Sequence, residues 1–520
     1  MVELNNAVLK EALNLIPHQY RGPGGVAGIV KDGEIVATRA WGYSDLSKHN
    51  AMTAETRLPI CSISKQFTCG VLLDKIDNLD RLNERVKDFI PKFRGTFPTV
   101  KELCDNQSGL RDYWALSILQ GARAEQTFGR SDALPLLAQM KTGHFEPGTS
   151  YSYCNGNFRM LSELIEAETG QSMEALYSEV IWGPAGMKTA VLNSDTRHPT
   201  DEVVGYEGND VTGFFPANNG IYWIGDAGIS ASLQDMLAYE IWIDNTREDA
   251  TSLYQRLSEP PLFRDGTPAS YGFGLAHHTV SGVKVTSHGG ALRGFRAFRM
   301  HAAVERLSVV VMFNHEANVF GAAASILQAA LGSEEPDLQP IPQGWDGQWI
   351  CRETGLLARL KTGKLSGELN FATAPDRVVS GLGGHLEAEG LMLSIDGTTL
   401  IMRRDAENML STLDPLATNI ATLDLEIAGR YEAEELEATM VIEVRDSGIY
   451  SWTEGMLGSG IMERLHPVGP DTLIMVTRRS MDAPAPGDWT LSLIRDVAGH
   501  VTGFRLGCWL ARQIDYIKTA

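Results

Sequence analysis

The 520-residue sequence predicts a multidomain α/β plus all-β protein, and three observations carry that expectation. Strand-like segments stand at both ends of residues 1–332, with helical periodicity between them. A short acidic and proline-rich run, SEEPDLQPIPQG at 333–344, then reads as a linker. Beyond it the helical period fades and short alternating segments take over. At roughly 150 residues per domain the chain is too long for one unit. The expected division is 1–332, a linker at 333–344, and two small all-β units at 345–417 and 418–520.

MVELNNAVLKEALNLIPHQY reads as an amphipathic helix with Val8, Leu9, Leu13 and Ile16 on its apolar side. It lacks a basic segment followed by an apolar core, so it does not read as a signal peptide, and the expected compartment is the cytoplasm. GVAGIV and EIVATRAW flank Lys31-Asp32-Gly33-Glu34, a hairpin whose Asp-Gly pair suits a type I′ turn. Residues 62–76 form an expected buried helix, with Ile63, Phe67, Val71, Leu72 and Ile76 leaving little polar face. Strand patterns return at KVTSH, GFRAFRMH and RLSVVVMFNH, followed by the helix VFGAAASILQAAL. A sheet drawing strands from both ends of this region, mixed or antiparallel, with helices from its middle, follows.

The tail carries repeated words. Gly347-Gln-Trp349 with Glu353 recurs as Gly429-Arg-Tyr431 with Glu435, and Thr399-Leu-Ile-Met402 recurs as Thr472-Leu-Ile-Met475. Their kept order implies a duplicated unit, each copy closing into a small antiparallel β-barrel.

Composition narrows the function classes. Hydrophobic content of 43% with 21% charged residues describes a soluble globular chain, and no apolar run approaches the roughly 18 residues of a membrane helix. A net charge of -20 argues against nucleic acid or an anionic membrane as partner and mildly favours cationic small molecules. Six cysteines, at 61, 69, 104, 154, 351 and 508, show no metal-ligand spacing, so reduced buried thiols are expected and a metal is not. Cys61 and Cys154 adjoin the candidate residues below, so thiol reagents are expected to inhibit without either cysteine being a nucleophile.

Serine and lysine stand three apart twice, at Ser62/Lys65 and Ser281/Lys284. The second pair enters the strand VKVTS, where positions three apart point to opposite faces and cannot share a proton. On a helix the same spacing shares a face, and Ser62 begins one, beside the positive end of its dipole. An N-cap serine is the plainer reading of Ser62. Lys65 counts against it, because so apolar a helix buries the amine, and a desolvated lysine can act as a base. Tyr153-Cys-Asn155 lies in the turn-rich HFEPGTSYSYCNGNF, and His288-Gly-Gly290 ends the strand VKVTS with two glycines that admit a close approach.

The ordered set Ser62-x-x-Lys65, Tyr153-x-Asn155 and His288-x-Gly290 resembles that of the penicillin-recognising serine hydrolases, which include class C β-lactamases, DD-peptidases, esterases and D-aminopeptidases. SISKQFTCGVLLDKI, NQSGLRDY, FEPGTSYSYCNGNF and GDAGISASLQDM strengthen the likeness, which covers roughly residues 5–332. The two-barrel tail and the histidine in the third motif look most like the serine D-aminopeptidases of that family. The resemblance implies a β-lactamase/DD-peptidase-like antiparallel sheet flanked by helices. It makes Ser62 the nucleophile and Lys65 with Tyr153 the proton-transfer network, with Asn155 holding the Lys65 ammonium. Protonated His288 and Lys65 would together lower the Tyr153 pKa, and the Ser62 and Ala291 N–H groups would form an oxyanion hole beside Gly290. No cofactor is implied. Class C β-lactamases carry lysine where His288 stands, which lowers the expectation of penicillin hydrolysis.

An aminopeptidase must recognise a free ammonium. The loop RRSMDAPAPGDW at 478–489, long for a hairpin and restrained by two prolines, is expected to present Asp482 to it. Expected partners are small D-amino-acid peptides, amides or esters, with β-lactams as possible inhibitors and a homodimer as the assembly implied by the resemblance. The alternatives are a β-lactamase-like esterase or DD-peptidase using the same residues, and, in another class, a non-catalytic binding protein.

Overall fold

A computed structural model describes residues 6–332, 338–418, 425–446, 448–477, 479–482 and 486–519. Strands from both ends of the first region meet in one eight-stranded sheet. Its spatial order is Asn50–Ala51, Glu34–Asp45, Gly24–Lys31, Leu307–Phe313, Phe295–Ala302, Val283–Leu292, Leu275–Val280 and Tyr271–Gly272. Every pairing is antiparallel, and Gly25–Lys31 runs in register against Phe313–Leu307 to join the two ends of the region. The turn residues follow the sequence signals: Asp32 and Gly33, like Ser281 and Gly282, all have positive φ, as a type I′ hairpin requires.

The period of two sorts the central strands onto two cores. Val26, Val30, Val310 and Met312 face the helical layer that contains Ser64–Lys75, while Ala27, Ile29, Val309 and Val311 face the other side. On that second side the helix Asn6–Gln19 packs with the helix Val319–Leu331. Its buried stripe is Leu9, Leu13 and Ile16; Val8, expected on the same side, is exposed because it sits one position off the i, i+4, i+7 row.

Of the expected linker, residues 333–337 lie outside the described residues. The following eight strands, from Gly347–Cys351 to Met409–Pro415, close into an antiparallel barrel through Trp349–Cys351 pairing with Pro415–Leu413. A second ring of eight strands runs from Gly429–Ala433 to Ala511–Lys518. It closes because Ala438–Arg445 pairs with both Gly429–Ala433 and Gly448–Gly455, and a two-residue strand, Gly458–Ser459, is appended to the latter.

The two repeated words fare differently. Gly347/Trp349 and Gly429/Tyr431 open the first strand of their barrels. Thr399–Met402, however, lies on the seventh strand of the first ring, and Thr472–Met475 on the fifth of the second. One copy alternates between buried and half-buried residues and the other is buried throughout. That word therefore spells a core-facing strand rather than an equivalent position, since Leu, Ile and Met suit any such strand.

Both barrels dock on the first region. Asp112 N donates to Leu510 O at 2.9 Å and Arg111 Nε to Arg512 O at 2.8 Å, while the Arg111 guanidinium pairs with Glu435. Gln120 Nε2 donates to Leu436 O at 2.6 Å, and Ser150 Oγ donates to Glu407 O of the first barrel. Buried Arg111 spends donors on the Arg512 and Gln513 carbonyls of the second barrel, so these contacts tie the barrels to the residues around Asp112.

Candidate active site

Ser62 lies in the 3₁₀ turn Cys61–Ile63, ahead of the helix Ser64–Lys75, rather than in the helix's own first turn as the spacing implied. Cys61 holds a left-handed φ of 52°, an uncommon conformation for a non-glycine residue, which tightens this turn. The strand Val283–Leu292 passes close to it. A Cβ on Gly290 would lie 2.2 Å from Ile60 O, so the third motif needs glycine there to bring Ala291 beside Ser62.

Lys65 is fully buried and uses all three of its hydrogens. Its Nζ donates to Ser62 Oγ at 3.0 Å, to Asn155 Oδ1 at 2.8 Å and to Asp226 O at 2.7 Å. Burial pushes its pKa down to about 8, against the pull of the Asp226, Asp112 and Asp482 carboxylates. Asn155 is locked in turn by Asp112, whose Oδ1 accepts from Asn155 N at 2.6 Å and Nδ2 at 3.1 Å. Asp112 itself is pushed up to about 6 by burial. Tyr113 Oη donates to Asp226 Oδ2 at 2.7 Å, completing the shell behind the amine.

The Tyr153 ring lies with its centroid 4.9 Å from Lys65 Nζ. Burial raises the phenol pKa well above its ordinary value, and a hydrogen bond with Ser62 lowers it only in part. His288 is held by Nδ1–H donating to Gly289 O at 2.5 Å, leaving Nε2 to accept from Tyr271 Oη at 2.8 Å. Burial, then the Lys65 charge, push the imidazole down to about 3. The expected protonated His288 is thus corrected to a neutral ring, and Tyr153 to a protonated phenol, because desolvation outweighs hydrogen bonding at both.

The thiols are buried as expected, and the expected inhibition by thiol reagents is corrected in the same way. All six cysteines are free and buried, and burial pushes Cys61 up to about 12 and raises Cys154 further. Ser281 and Lys284 sit at a hairpin turn at the opposite end of the strand from Gly290.

Ser62, Tyr153, Asn155, His288, Gly290 and Ala291 line one cavity of about 850 Å³, and so does Asp482 from the second barrel. Of the loop 478–489, Arg478 and residues 483–485 lie outside the described residues. The Asp482 segment is pinned by Arg293 N donating to Asp482 O at 2.9 Å, and Ser480 Oγ donates to Asp482 Oδ1 at 3.1 Å. Burial, then the Asp112 charge, push Asp482 up to about 7. The two arginines lining the cavity are already matched, Arg296 with Glu316 at 2.9 Å and Arg404 with Asp376 at 2.7 Å and Glu407 at 3.0 Å. Among the described residues no cluster of three or more histidine, cysteine or acidic side chains is placed to hold a metal.

Sequence reasoning missed Asp112, Asp226 and Tyr271. The two aspartates lie in NQSGLRDY and GDAGISASLQDM, so the segments were visible while the roles of their acids were not. Tyr271 carries no local signal, because its partner His288 comes from another strand.

The chain's relatives accord with this arrangement. Residues 7–333 match the beta-lactamase family and residues 339–517 match D-aminopeptidase, domain B. A D-aminopeptidase of Cereibacter sphaeroides (strain KD131 / KCTC 12085) is 62% identical over 510 residues, 98% of each chain. A D-aminopeptidase of Brucella melitensis biotype 2 is 46% identical over 523 residues, 99% of each chain. In fold, an octameric penicillin-binding protein homologue from Pyrococcus abyssi superposes with a TM-score of 0.56 at 18% identity, covering 79% of this chain and 100% of its own. With a family match over most of its length and full-length relatives at this identity, the chain belongs to the beta-lactamase family, among its D-aminopeptidase members.

Proposed function

We propose that the chain is a D-stereospecific serine aminopeptidase that releases N-terminal D-amino acids, D-alanine favoured, from peptides, amides and esters through an acyl-enzyme on Ser62. The observation that carries this reading is a buried amine 3.0 Å from Ser62 Oγ in a cavity that Asp482 also lines.

With a pKa of about 8, about a tenth of Lys65 is neutral at pH 7. That fraction takes the Ser62 proton as Oγ bonds to the acyl carbon. Ser62 and Ala291 N–H groups stabilise the resulting oxyanion, each donor worth about 3 kcal/mol in comparable sites. Tyr153, protonated at rest, gives its proton to the leaving nitrogen as the C–N bond breaks and takes one from Lys65. Water then attacks the acyl-enzyme along the reverse proton path and releases the D-amino acid. Asn155, fixed by Asp112, keeps the Lys65 amine on Ser62 in both charge states.

The charges of the cavity favour an ammonium on the acyl side. Asp112 and Asp482 have no arginine partner among its described lining residues, while Arg296 and Arg404 are spoken for. An incoming ammonium favours ionised Asp482, and among the described lining residues a substrate carboxylate, as in a penicillin, meets no arginine without a carboxylate partner. This supports the aminopeptidase over the β-lactamase-like reading. The reading extends, on the family resemblance, to a cytoplasmic homodimer, which light scattering of the purified protein checks.

Parallel assays of D-alanyl and L-alanyl p-nitroanilide, a chromogenic cephalosporin and a short-chain p-nitrophenyl ester test the reading, with intact mass read after a fluorophosphonate. D-alanyl turnover with an adduct at Ser62 is expected. Ester turnover without D-alanyl turnover would replace it by an esterase, and no adduct by a binding protein.

A further inference from the structure

The segment that carries Asp482 also borders a second cavity, of about 650 Å³, which shares Ser480 with the catalytic one. Its walls come from the loop around Arg123 and Glu125 on one side and from the second barrel on the other. Trp452, Ile461 and Met462 supply an apolar lining, and the latter two are exposed. Apolar side chains left open to water beside a cavity mark a place where a ligand would bury them.

The charge there runs against the rest of the chain. In a protein of net charge -20, three arginines line this cavity against two glutamates. Arg479 is matched by Glu125 at 2.8 Å. The Arg123 guanidinium donates to the Ser459 carbonyl at 2.9 Å, and neither it nor Arg464 has a carboxylate partner among the described residues. The hydroxyl of Thr477, on the same wall and nine-tenths buried, has no hydrogen-bond partner among the described residues. A buried hydroxyl without a partner costs free energy unless a ligand or water satisfies it.

We infer that this cavity is a second binding site, for a small apolar carboxylate, and that its occupancy bears on Asp482 through Ser480. The apolar body would cover Trp452 and Met462, and the carboxylate would meet Arg464 and Arg123. Ser480 is the link, because its hydroxyl donates to the Asp482 carboxylate while its other flank faces this cavity. This second clause rests on the role proposed above for Asp482; the binding clause does not.

Calorimetric titration of the Ser62→Ala protein with octanoate, octanol and octylammonium reads binding without turnover. Octanoate should bind one per chain and at least tenfold tighter than the other two. Arg464→Glu, on an exposed strand position, and Trp452→Ala should each weaken it about tenfold or more. Octanoate binding insensitive to both variants, or no tighter than octanol, would overturn the site. In the wild-type enzyme octanoate should change KM for D-alanyl p-nitroanilide, and Ser480→Ala should abolish that change while octanoate still binds. A KM that octanoate leaves unmoved would overturn the link to Asp482.

Discussion

Replacing Asp482 by asparagine removes a charge and little volume. If its carboxylate receives the substrate ammonium, the variant loses one hydrogen bond between charged groups, worth about 1.5–3 kcal/mol. At 1.4 kcal/mol per decade, that is a loss of about 10- to 150-fold in kcat/KM for D-alanyl p-nitroanilide. A short-chain p-nitrophenyl ester of an acid without an amine makes no such contact, so its kcat/KM should stay within about twofold. The free-enzyme carboxyl titrates near 7. Wild-type kcat/KM on the anilide should therefore fall more steeply below pH 7 than the Lys65 limb alone makes it, and Asp482→Asn should remove that extra steepness while the Lys65 limb stays. The same shift speaks to stability. The folded pKa lies above the ordinary carboxylate value, so the stability it contributes is present below about pH 4 and lost as pH rises through 7. Asp482→Asn should be near neutral for melting temperature at pH 4 and stabilising at pH 8. Equal losses on anilide and ester would refute the recognition role and leave Asp482 as a support for the cavity wall.

Other outcomes follow from the same geometry. Ester turnover should rise with pH through about 8 as Lys65 gives up its proton, and Lys65→Met should cut kcat about 10²–10⁴-fold, so a flat profile from pH 6 to 9 would exclude Lys65 as the base. Gly290→Ala drives a methyl against Ile60 O and parts Ala291 from Ser62, so kcat should fall about 10²–10³-fold while circular dichroism stays native. Tyr271→Phe strips the donor from His288 Nε2 and should cost about 1–3 kcal/mol in urea denaturation. Iodoacetamide should label none of the six cysteines until the protein is denatured, measured by intact mass.

How far the site was legible follows from the range of each signal. The Ser62/Lys65 spacing needs only one turn of backbone to bring two side chains together, and helix against strand geometry was enough to set aside Ser281/Lys284. Gly290 was legible as a close approach, although what it approaches, Ile60 O, is more than two hundred residues away in the chain. The protonation states were not legible. His288 and Tyr153 read as neighbours of a cation, and their burial, which reverses the expected effect, depends on side chains from separate strands and loops. Asp112 and Asp226 hold Lys65 from segments whose sequences offer no reason to prefer these acids over the other sixty-three.

Local chemistry decided much of this protein before tertiary structure entered. The Asp32-Gly33 and Ser281-Gly282 turns, the alternation that sorts the central strands onto two cores, and the order of strands and helices are all set over a few residues by sterics and hydrophobic period. The repeated Thr-Leu-Ile-Met word marks the limit of such signals, since it encodes burial of a strand and not its place in a ring. Tertiary structure alone decided which amine loses water, which imidazole stays neutral, and that Asp482 shares a cavity with Ser62. Those properties depend on how much solvent distant segments exclude, and a desolvation energy belongs to the assembled environment rather than to any one residue.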